Sequence, residues 1–160
     1  MRILGIDVGF NGAAGVIDFV NGNTPKFVAV IDLPTIGSDA KRRIDALGLF
    51  AWIAEHPVDL VGIEAVSSMP KQGIASSFRF GRTAGTIESV IAIAKIPTMF
   101  VAASKWKRAF NLNSDKEAAR LLAVQTFPAA HDQLCLKKHH GRAESLLIAL
   151  HVAKEANHAA

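Results

Sequence analysis

The sequence has a single cysteine, Cys135, among its 160 residues. One cysteine cannot form an internal disulfide bond, which is typical of proteins kept in a reducing compartment. No apolar run reaches the roughly 20 residues that a membrane-spanning helix needs. The first residues begin a β-strand pattern directly, without the charged segment, apolar segment and cleavage site of a secretory signal. We therefore expect a cytoplasmic protein with no membrane partner.

Internal repeats, low-complexity tracts and linkers are also missing from the chain. Its length suits one domain with a substantial core, and half of its residues are hydrophobic. We therefore expect residues 1–160 to form a single domain. The formal net charge of +4 is compatible with a polyanionic partner but does not by itself indicate one.

Three apolar segments at the start of the chain have the pattern of β-strands. They are Arg2–Val8, Ala13–Val20 and Lys26–Asp32. The second and third are joined by Asn21-Gly-Asn, a strong signal for a β-hairpin. The pattern predicts an antiparallel meander of three strands.

Helices and strands alternate in the next part of the chain. A helical pattern over Asp39–Glu55 ends before Pro57 and is followed by a strand, Leu60–Glu64. A long helical stretch, Ile74–Lys95, then leads to a fifth strand, Thr98–Val101. Because a strand reached through a helical crossover runs parallel to its neighbour, the fourth and fifth strands are expected to be parallel additions to the sheet.

The C-terminal third is predicted to be helical. Ala103–Phe110 is a basic helical turn, and Ser114-Asp-Lys-Glu117 has the pattern of a capping box that opens a helix ending before Pro128. Residues 129–140 have no regular pattern, and Gly141–Asn157 is a final amphipathic helix. The predicted fold class is α/β, with a mixed five-stranded sheet (three antiparallel strands, then parallel strands) flanked by helices.

The first and fourth predicted strands, which are expected to run parallel, each carry an acid at the same end. Asp7 lies at the far end of the first strand, and Glu64 ends the fourth. Burying a carboxylate without a counter-charge is costly, so such a residue usually binds a metal, acts as an acid or base, or forms an ion pair. If these strands are neighbours, the two acids lie side by side at one edge of the sheet. The repetition favours a functional site over a chance ion pair.

The last helix begins with another acid and a histidine. Glu144 and His140 are four residues apart and therefore share a helix face. Three carboxylates in one place raise each other's pKa unless cations neutralise them, and oxygen ligands suit Mg²⁺ or Mn²⁺. Two such ions, about 3.5–4 Å apart, activate water and stabilise the leaving oxygen of a phosphodiester. The acids therefore predict metal-dependent phosphoryl hydrolysis.

Less specific interpretations exist for the residues of the last helix. In the alternative interpretation, Glu144 is an acid that the helix dipole stabilises in the first turn and has no role in a site. In the alternative interpretation, His140 is a solvated residue beside Lys137 and Lys138 and has no role in a site.

A basic patch is predicted in the segment after the fifth strand. It contains Lys105, Lys107 and Arg108 around Trp106, with Lys116 nearby. In such patches cations neutralise phosphates without reading the base sequence. The alternative is an ordinary helix with solvated lysines and a tryptophan in the core, and for Trp106 we prefer the core.

Four motifs, in this order, resemble those of RuvC-type Holliday junction resolvases, and specifically the small phage and prophage-borne branch. They are Gly5-Ile-Asp7-Val-Gly9, Val61-Gly-Ile-Glu64, Gly81-Arg-Thr-Ala-Gly85 and Gly141-Arg-Ala-Glu144-Ser-Leu-Leu-Ile-Ala149. The similarity spans nearly the whole chain, although no motif alone is specific. It implies an RNase H-like fold, a homodimer, and Mg²⁺-dependent nicking of branched DNA to leave 5′-phosphate and 3′-hydroxyl ends. Mn²⁺ is expected to substitute.

The resemblance also implies which residues hold the metal. Asp7 matches the first-strand ligand, Glu64 the fourth-strand ligand, and Glu144 the acid of the final helix, where the family usually has Asp. His140 is the residue nearest to the family's other C-terminal position, which is commonly Asp and in some members His. A histidine there would bind a metal or orient the attacking water as a base.

The spacing leaves the fourth site residue open. The commoner bacterial pattern has the two C-terminal residues three apart, which would select Gly141 instead of His140. His139 is the other candidate.

The resemblance further predicts DNA contacts. It places DNA-contacting lysines around Lys105 or Lys107 and Lys116, and it makes the loop after Glu64 the part that approaches the junction centre. That loop is flanked by Lys71, Arg79 and Arg82. Met69, Phe78 and Phe80 are candidates for a wedge between bases, with dimer or core contacts as the alternative for the phenylalanines. The dimer is expected to form through the helix over 74–95.

Three other functions are considered. Actin-like sugar kinases share the Gly-Ile-Asp-x-Gly opening, but they need two such lobes and this sequence has one copy of the motif. A RuvC-like nuclease acting on ribosomal RNA precursor would keep the fold and chemistry and change the substrate. A junction-binding protein with a weak catalytic site is the third, because His140 departs from the common acid.

Overall fold

The protein is described by a computed structural model that covers residues 1–9, 11–20, 24–38, 41–67 and 73–158. The strands in this part of the chain are, in order, β1 Arg2–Asp7, β2 Ala13–Asp18, β3 Lys26–Asp32, β4 Thr35–Ile36, β5 Arg43–Ile44, β6 Leu60–Ala65 and β7 Thr98–Ala102. The helices are α1 Ala46–Glu55, α2 Ile74–Ala94, α3 Ala103–Ala109, α4 Lys116–Thr126, α5 His131–Leu134 and α6 His140–His158.

The main sheet has five strands in the order β3-β2-β1-β6-β7. β1 pairs with β2, and β2 with β3, in antiparallel fashion, whereas β1–β6 and β6–β7 are parallel pairs. The predicted α/β fold with a mixed five-stranded sheet is therefore confirmed. The predicted hairpin turn at Asn21-Gly-Asn lies outside the described residues.

The predicted helix over 39–55 is wrong in its first part. Arg43–Ile44 pairs with Thr35–Ile36 as a two-stranded ribbon, and the helix α1 begins only at Ala46. Asp45 is the N-cap, because its side chain accepts a hydrogen bond from the backbone N–H of Gly48 at 3.1 Å. The cap stops the helix from extending toward residue 39.

The predicted start of α4 is also shifted. Asp115 caps the helix by accepting a hydrogen bond from the N–H of Glu117, so Ser114 is not the cap. Of the segment predicted to be irregular, residues 131–134 form the short helix α5. The final helix is confirmed, with one more residue at each end than predicted.

Helices cover both faces of the sheet. On one face α6 and α4 pack against residues such as Ile3 and Ile17. On the other, α1 and α2 pack against residues such as Leu4 and Ile6. No described helix combines the length and hydropathy needed to cross a membrane.

A row of glycines lets α6 lie directly on the central strands. Gly5 of β1 is paired with Gly15 of β2 and with Gly62 of β6, so the three glycines are adjacent across the sheet. A Cβ atom at Gly5 would overlap the carbonyl oxygen of Ser145 and lie 2.5 Å from the backbone nitrogen of Ala149. The close approach of α6 therefore depends on glycine, and it brings the start of α6 to the edge where β1 and β6 end.

Candidate active site

Asp7 and Glu64 meet at the edge of the sheet where β1 and β6 end. The preceding residues, Ile6 and Ile63, are partners in the parallel register, so the two acids follow on adjacent strands. The two carboxyl groups lie close enough for each to influence the ionisation of the other. Glu144, from the first turns of α6, lies close enough for its charge to act on both carboxyl groups. The structure thus brings the three predicted acids together at one edge of the sheet.

The environment raises the pKa of Asp7 well above its usual value. Burial is the largest cause, followed by the negative charges of Glu144 and Glu64; the positive charges of Lys116 and Lys107 act in the opposite direction. The pKa of Glu64 is also raised, first by burial, while a hydrogen bond from Trp106 opposes the shift. These acids are under-neutralised by the described protein groups.

Glu144 is buried, with 6% of its surface exposed. Lys107 Nζ lies 3.1 Å from its Oε1 atom. That contact lacks hydrogen-bonding geometry, and Oε1 has no hydrogen-bond partner in the described part of the protein. Because a buried carboxylate oxygen is costly to leave unpaired, the position is one where a further positive group is favoured.

The donor chemistry of these acids fits a divalent cation such as Mg²⁺. All three side chains offer carboxylate oxygens, the hard ligands that Mg²⁺ and Mn²⁺ prefer. The pKa of Asp7 and that of Glu64 are raised, so a cation placed beside these acids would stabilise their ionised forms. As placed, however, the side chains of the described residues do not form a group of three or more His, Cys, Asp or Glu ready to hold a metal ion. Metal binding therefore requires side-chain movement from these positions.

His140 lies beside the acids and not among them. It lines a cavity of about 350 Å³ together with Asn11, Asp32, Leu33, Arg42, Lys138 and His139. Within the described ranges its ring makes no hydrogen bond or ion pair. His139 is more constrained, because it is buried and its Nδ1 atom accepts a hydrogen bond from the backbone N–H of Leu136 at 3.3 Å.

Gly141 is the position at the start of α6 that faces Asp7. A Cβ atom there would lie 3.0 Å from Asp7 Oδ2 and 2.6 Å from the carbonyl oxygen of Asn11. A side chain at residue 141 would therefore enter the site, but the chain has none there.

An ion pair that the sequence did not predict fixes the start of α6 against β3. Arg142 donates two hydrogen bonds to the carboxylate of Asp32, at 2.7 and 2.8 Å. This partner lowers the pKa of Asp32. Asp32 is paired with Ala13, the same residue that is paired with Asp7, so the pair lies at the same sheet edge as the acids. The 110 positions that separate Asp32 from Arg142 leave no signal of this ion pair in the sequence.

The basic residues of α3 have different surroundings. Lys107 contacts Glu144 and lies 5.1 Å from the centre of the Trp106 ring. Lys105 forms an ion pair with Glu155 instead. Lys107 and Arg108 also line an open cavity of about 470 Å³. Trp106 is fully buried, which confirms its predicted core position.

The other predicted DNA contacts are spread over the surface. Lys116 is exposed at the start of α4, and its charge reaches Asp7. Arg79 and Arg82 are exposed on α2, where Arg82 donates to the carbonyl oxygen of Arg42 at 3.4 Å. Phe78 of α2 is 69% exposed, whereas Phe80 packs against the core. Lys71 and Met69 lie outside the described residues.

Comparison with known proteins finds relatives by structure only. No protein-family model matches the chain, and no curated protein matches it in sequence. The RuvC of T. thermophilus in complex with a Holliday junction substrate is 18% identical, with a TM-score of 0.68 over 94% of this chain and 91% of that one. The Holliday junction resolvase of fowlpox virus is 14% identical, with a TM-score of 0.60 over 98% of this chain and 99% of that one.

A third structure extends the comparison to a eukaryotic protein. The yeast mitochondrial Holliday junction resolvase is 13% identical, with a TM-score of 0.57 over 92% of this chain and 76% of that one. None of these structures bears on the predicted similarity to the phage branch. The chain thus has the fold of the RuvC-type Holliday junction resolvases.

Proposed function

We propose that the protein is a metal-dependent, structure-selective endonuclease that nicks branched DNA, with the four-way Holliday junction as its substrate. The observation that carries the proposal is the meeting of Asp7, Glu64 and Glu144 at one sheet edge, where burial and neighbouring acids raise the pKa of Asp7 and that of Glu64. The shared fold of the junction resolvases supports it independently.

Asp7, Glu64 and Glu144 are the proposed ligands of Mg²⁺ or Mn²⁺. When bound, divalent ions supply an activated water and stabilise the leaving oxygen of the phosphodiester. Because the pKa of Asp7 and that of Glu64 are raised, cation binding would favour the ionised forms of both carboxyl groups. With a cation beside Glu144, Lys107 would be available to pair with the negative charge of the DNA backbone. The proposed products carry 5′-phosphate and 3′-hydroxyl ends.

His140 is the proposed fourth residue of the site, as a ligand or as the base that orients water. Its ring lines the cavity next to Gly141, the position that faces Asp7. Within the described ranges no hydrogen bond ties the ring to the cavity wall, so a change of rotamer toward the acids breaks no such bond.

The proposed DNA surface surrounds the acids. Lys107, Lys116 and Arg108 are grouped beside the site, where cations set the register of the DNA backbone without reading its sequence. Lys105 contributes after leaving Glu155, and Lys71, Arg79 and Arg82 contribute toward the junction centre. A two-fold dimer suits a four-way junction, which needs paired nicks. The large exposed apolar side chains of α2 support this helix as the dimer contact: Ile74, Phe78 and Ile93.

The test is cleavage of a synthetic four-way junction, compared with linear duplex DNA and with structured RNA, in Mg²⁺, in Mn²⁺ and in chelator. We expect paired nicks in the junction alone, only with a divalent ion, and products that a ligase can rejoin. Preferred cleavage of the RNA would instead indicate a ribosomal RNA nuclease. Junction binding without cleavage in either ion would indicate a binding protein and contradict the proposal.

A further inference from the structure

Trp106 directs the only polar atom of its side chain at one of the site acids. Its indole Nε1–H donates a hydrogen bond to Glu64 Oε1 at 3.2 Å. The tryptophan is fully buried in the core between α3, α4 and α6. Such a side chain usually finds a partner for its N–H, and here the partner is a carboxylate at the edge where β1 and β6 end.

The contact differs from ordinary core packing in what it does to Glu64. The carboxyl group of Glu64 lies close enough to Asp7 for the two to influence each other's ionisation, and its Oε1 atom receives the indole N–H. Because the tryptophan is enclosed by core residues, its N–H is a fixed donor and cannot follow the carboxylate. It therefore favours orientations of Glu64 in which Oε1 faces the indole.

We propose that Trp106 is a positioning residue, whose buried indole N–H orients the Glu64 carboxylate for binding a divalent cation together with Asp7. The inference rests on the proposed function, since it assumes that Glu64 is a metal ligand. It adds a residue outside the acids, and it makes α3 part of the metal site. Groups that hydrogen-bond to a metal ligand commonly change metal affinity by roughly 10- to 100-fold when removed.

The chain offers a matched control, because it has two tryptophans. Trp52 of α1 is half-buried on the opposite face of the sheet and stacks against His56 with ring centres 4.6 Å apart. Trp106→Phe removes the N–H next to Glu64, and Trp52→Phe makes the same chemical change away from the acids. We expect Mn²⁺ affinity, measured by calorimetry, to fall roughly 10- to 100-fold in Trp106→Phe and to stay unchanged in Trp52→Phe.

NMR of the wild-type protein, which keeps both tryptophans, tests the hydrogen bond from Trp106 to Glu64 without removing the packing of the indole ring. Two indole N–H signals are expected in ¹⁵N spectra, one for each tryptophan. Adding Mn²⁺ should broaden the Trp106 signal and leave the Trp52 signal sharp, since only the former would lie next to the ion. Glu64→Gln should shift the Trp106 signal in metal-free protein.

The outcomes distinguish this inference from the proposed function. If the wild-type protein binds no divalent ion and cleaves no junction, the proposed function fails. If it binds and cleaves, but folded Trp106→Phe has wild-type Mn²⁺ affinity, the positioning role fails alone. Should Trp106→Phe not fold, an unshifted Trp106 signal in Glu64→Gln contradicts the inference, and a shifted signal that Mn²⁺ broadens in the wild-type protein supports it.

Discussion

Two aspartates at opposite ends of the β1–β2 strand pair have opposite surroundings. At the start of β1, Arg2 donates to both oxygens of Asp18 on β2, at 2.8 and 3.1 Å, and its backbone N–H donates to Asp59. The hydrogen bond with Arg2 lowers the pKa of Asp18. At the other end Asp7 has two acids for neighbours, and burial followed by their charges raises its pKa.

The difference separates an acid that serves the fold from one that serves a site. Asp18 is half-exposed and has its counter-charge within the chain, so it needs no ligand. Asp7 is partly buried, and the lysines whose charges reach it do not cancel the charges of its acidic neighbours. A fold retains such an arrangement at a cost in stability, which is usual for functional sites.

The largest expected contrast between the two ends is in catalysis. Asp7→Asn should lower junction cleavage about 10³-fold or more, because metal ions supply several kcal/mol of transition-state stabilisation. Asp18→Asn should leave the cleavage rate within about twofold, since surface ion pairs contribute little. Single-turnover cleavage of a labelled junction measures both.

Junction affinity in chelator is the control for this experiment. It should be retained in both variants, because neither acid is expected to contact phosphate favourably. Equal cleavage by Asp7→Asn and wild-type protein would contradict the assignment of Asp7.

Substitution in the row of glycines under α6 tests whether the site at the Asp7 end of β1 depends on the position of that helix. In Gly5→Ala the new Cβ meets backbone atoms of Ser145 and Ala149, so α6 must move outward. We expect the free energy of unfolding to fall by about 1–3 kcal/mol or more, with loss of cleavage as Glu144 is displaced. Urea denaturation gives the first quantity.

Gly81→Ala is the matched control for Gly5→Ala. Gly81 lies within α2, and apart from its chain neighbours and the nearby backbone of the helix, no atom of the described residues lies within 4 Å of a Cβ built there. Alanine should therefore raise the free energy of unfolding by about 0.5–1 kcal/mol, the usual gain in a helix interior. A loss of stability in Gly81→Ala as large as in Gly5→Ala would show that the row has no special role.

The smallest expected effect of these substitutions is on the free energy of unfolding of the metal-free protein and on how that free energy depends on pH. Asp7→Asn should raise the free energy of unfolding at neutral pH by about 0.5–2 kcal/mol, since it removes an unfavourable buried charge. The pKa of Asp7 is higher in the folded than in the unfolded chain, so the gain shrinks as the pH falls through the folded pKa and wild-type Asp7 becomes protonated.

Asp18 should show the opposite pH behaviour. Its folded pKa is lowered, so its contribution is present above the unfolded value and is lost as the pH falls through the folded one. Asp18→Asn should therefore be less stable than the wild-type protein at neutral pH and equal to it in strong acid. Thermal unfolding in chelator from pH 7 to pH 3 measures the stability of both variants. If Asp7→Asn were less stable than the wild-type protein at pH 7, the interpretation of Asp7 as an unfavourably placed charge would be contradicted.

Local pattern was sufficient to predict the sheet and the three acids. Strand ends that carry an acid, and a parallel connection between them, place Asp7 beside Glu64 by topology alone. The same two strands share a further feature: in Gly5-Ile-Asp7 and in Gly62-Ile-Glu64 a glycine lies two residues before the acid. That repeat corresponds to the glycine row under α6.

The failures of prediction have local and long-range causes. Apolar spacing predicts a helix from residue 39, but Asp45 caps the helix and α1 begins at Ala46. The Asp32–Arg142 ion pair and the Trp106–Glu64 hydrogen bond join residues 110 and 42 positions apart. Only the packing of α6 and α3 brings these partners together, and no spacing rule contains that information.

Calorimetric titration of Mn²⁺ into wild-type protein, Asp7→Asn, Glu64→Gln and Glu144→Gln tests the central claim most directly. If acids from β1, β6 and α6 share metal ions, each single substitution should weaken binding by at least about tenfold, while Asp18→Asn binds as the wild-type protein does. Wild-type affinity in all three site variants would contradict a shared metal centre.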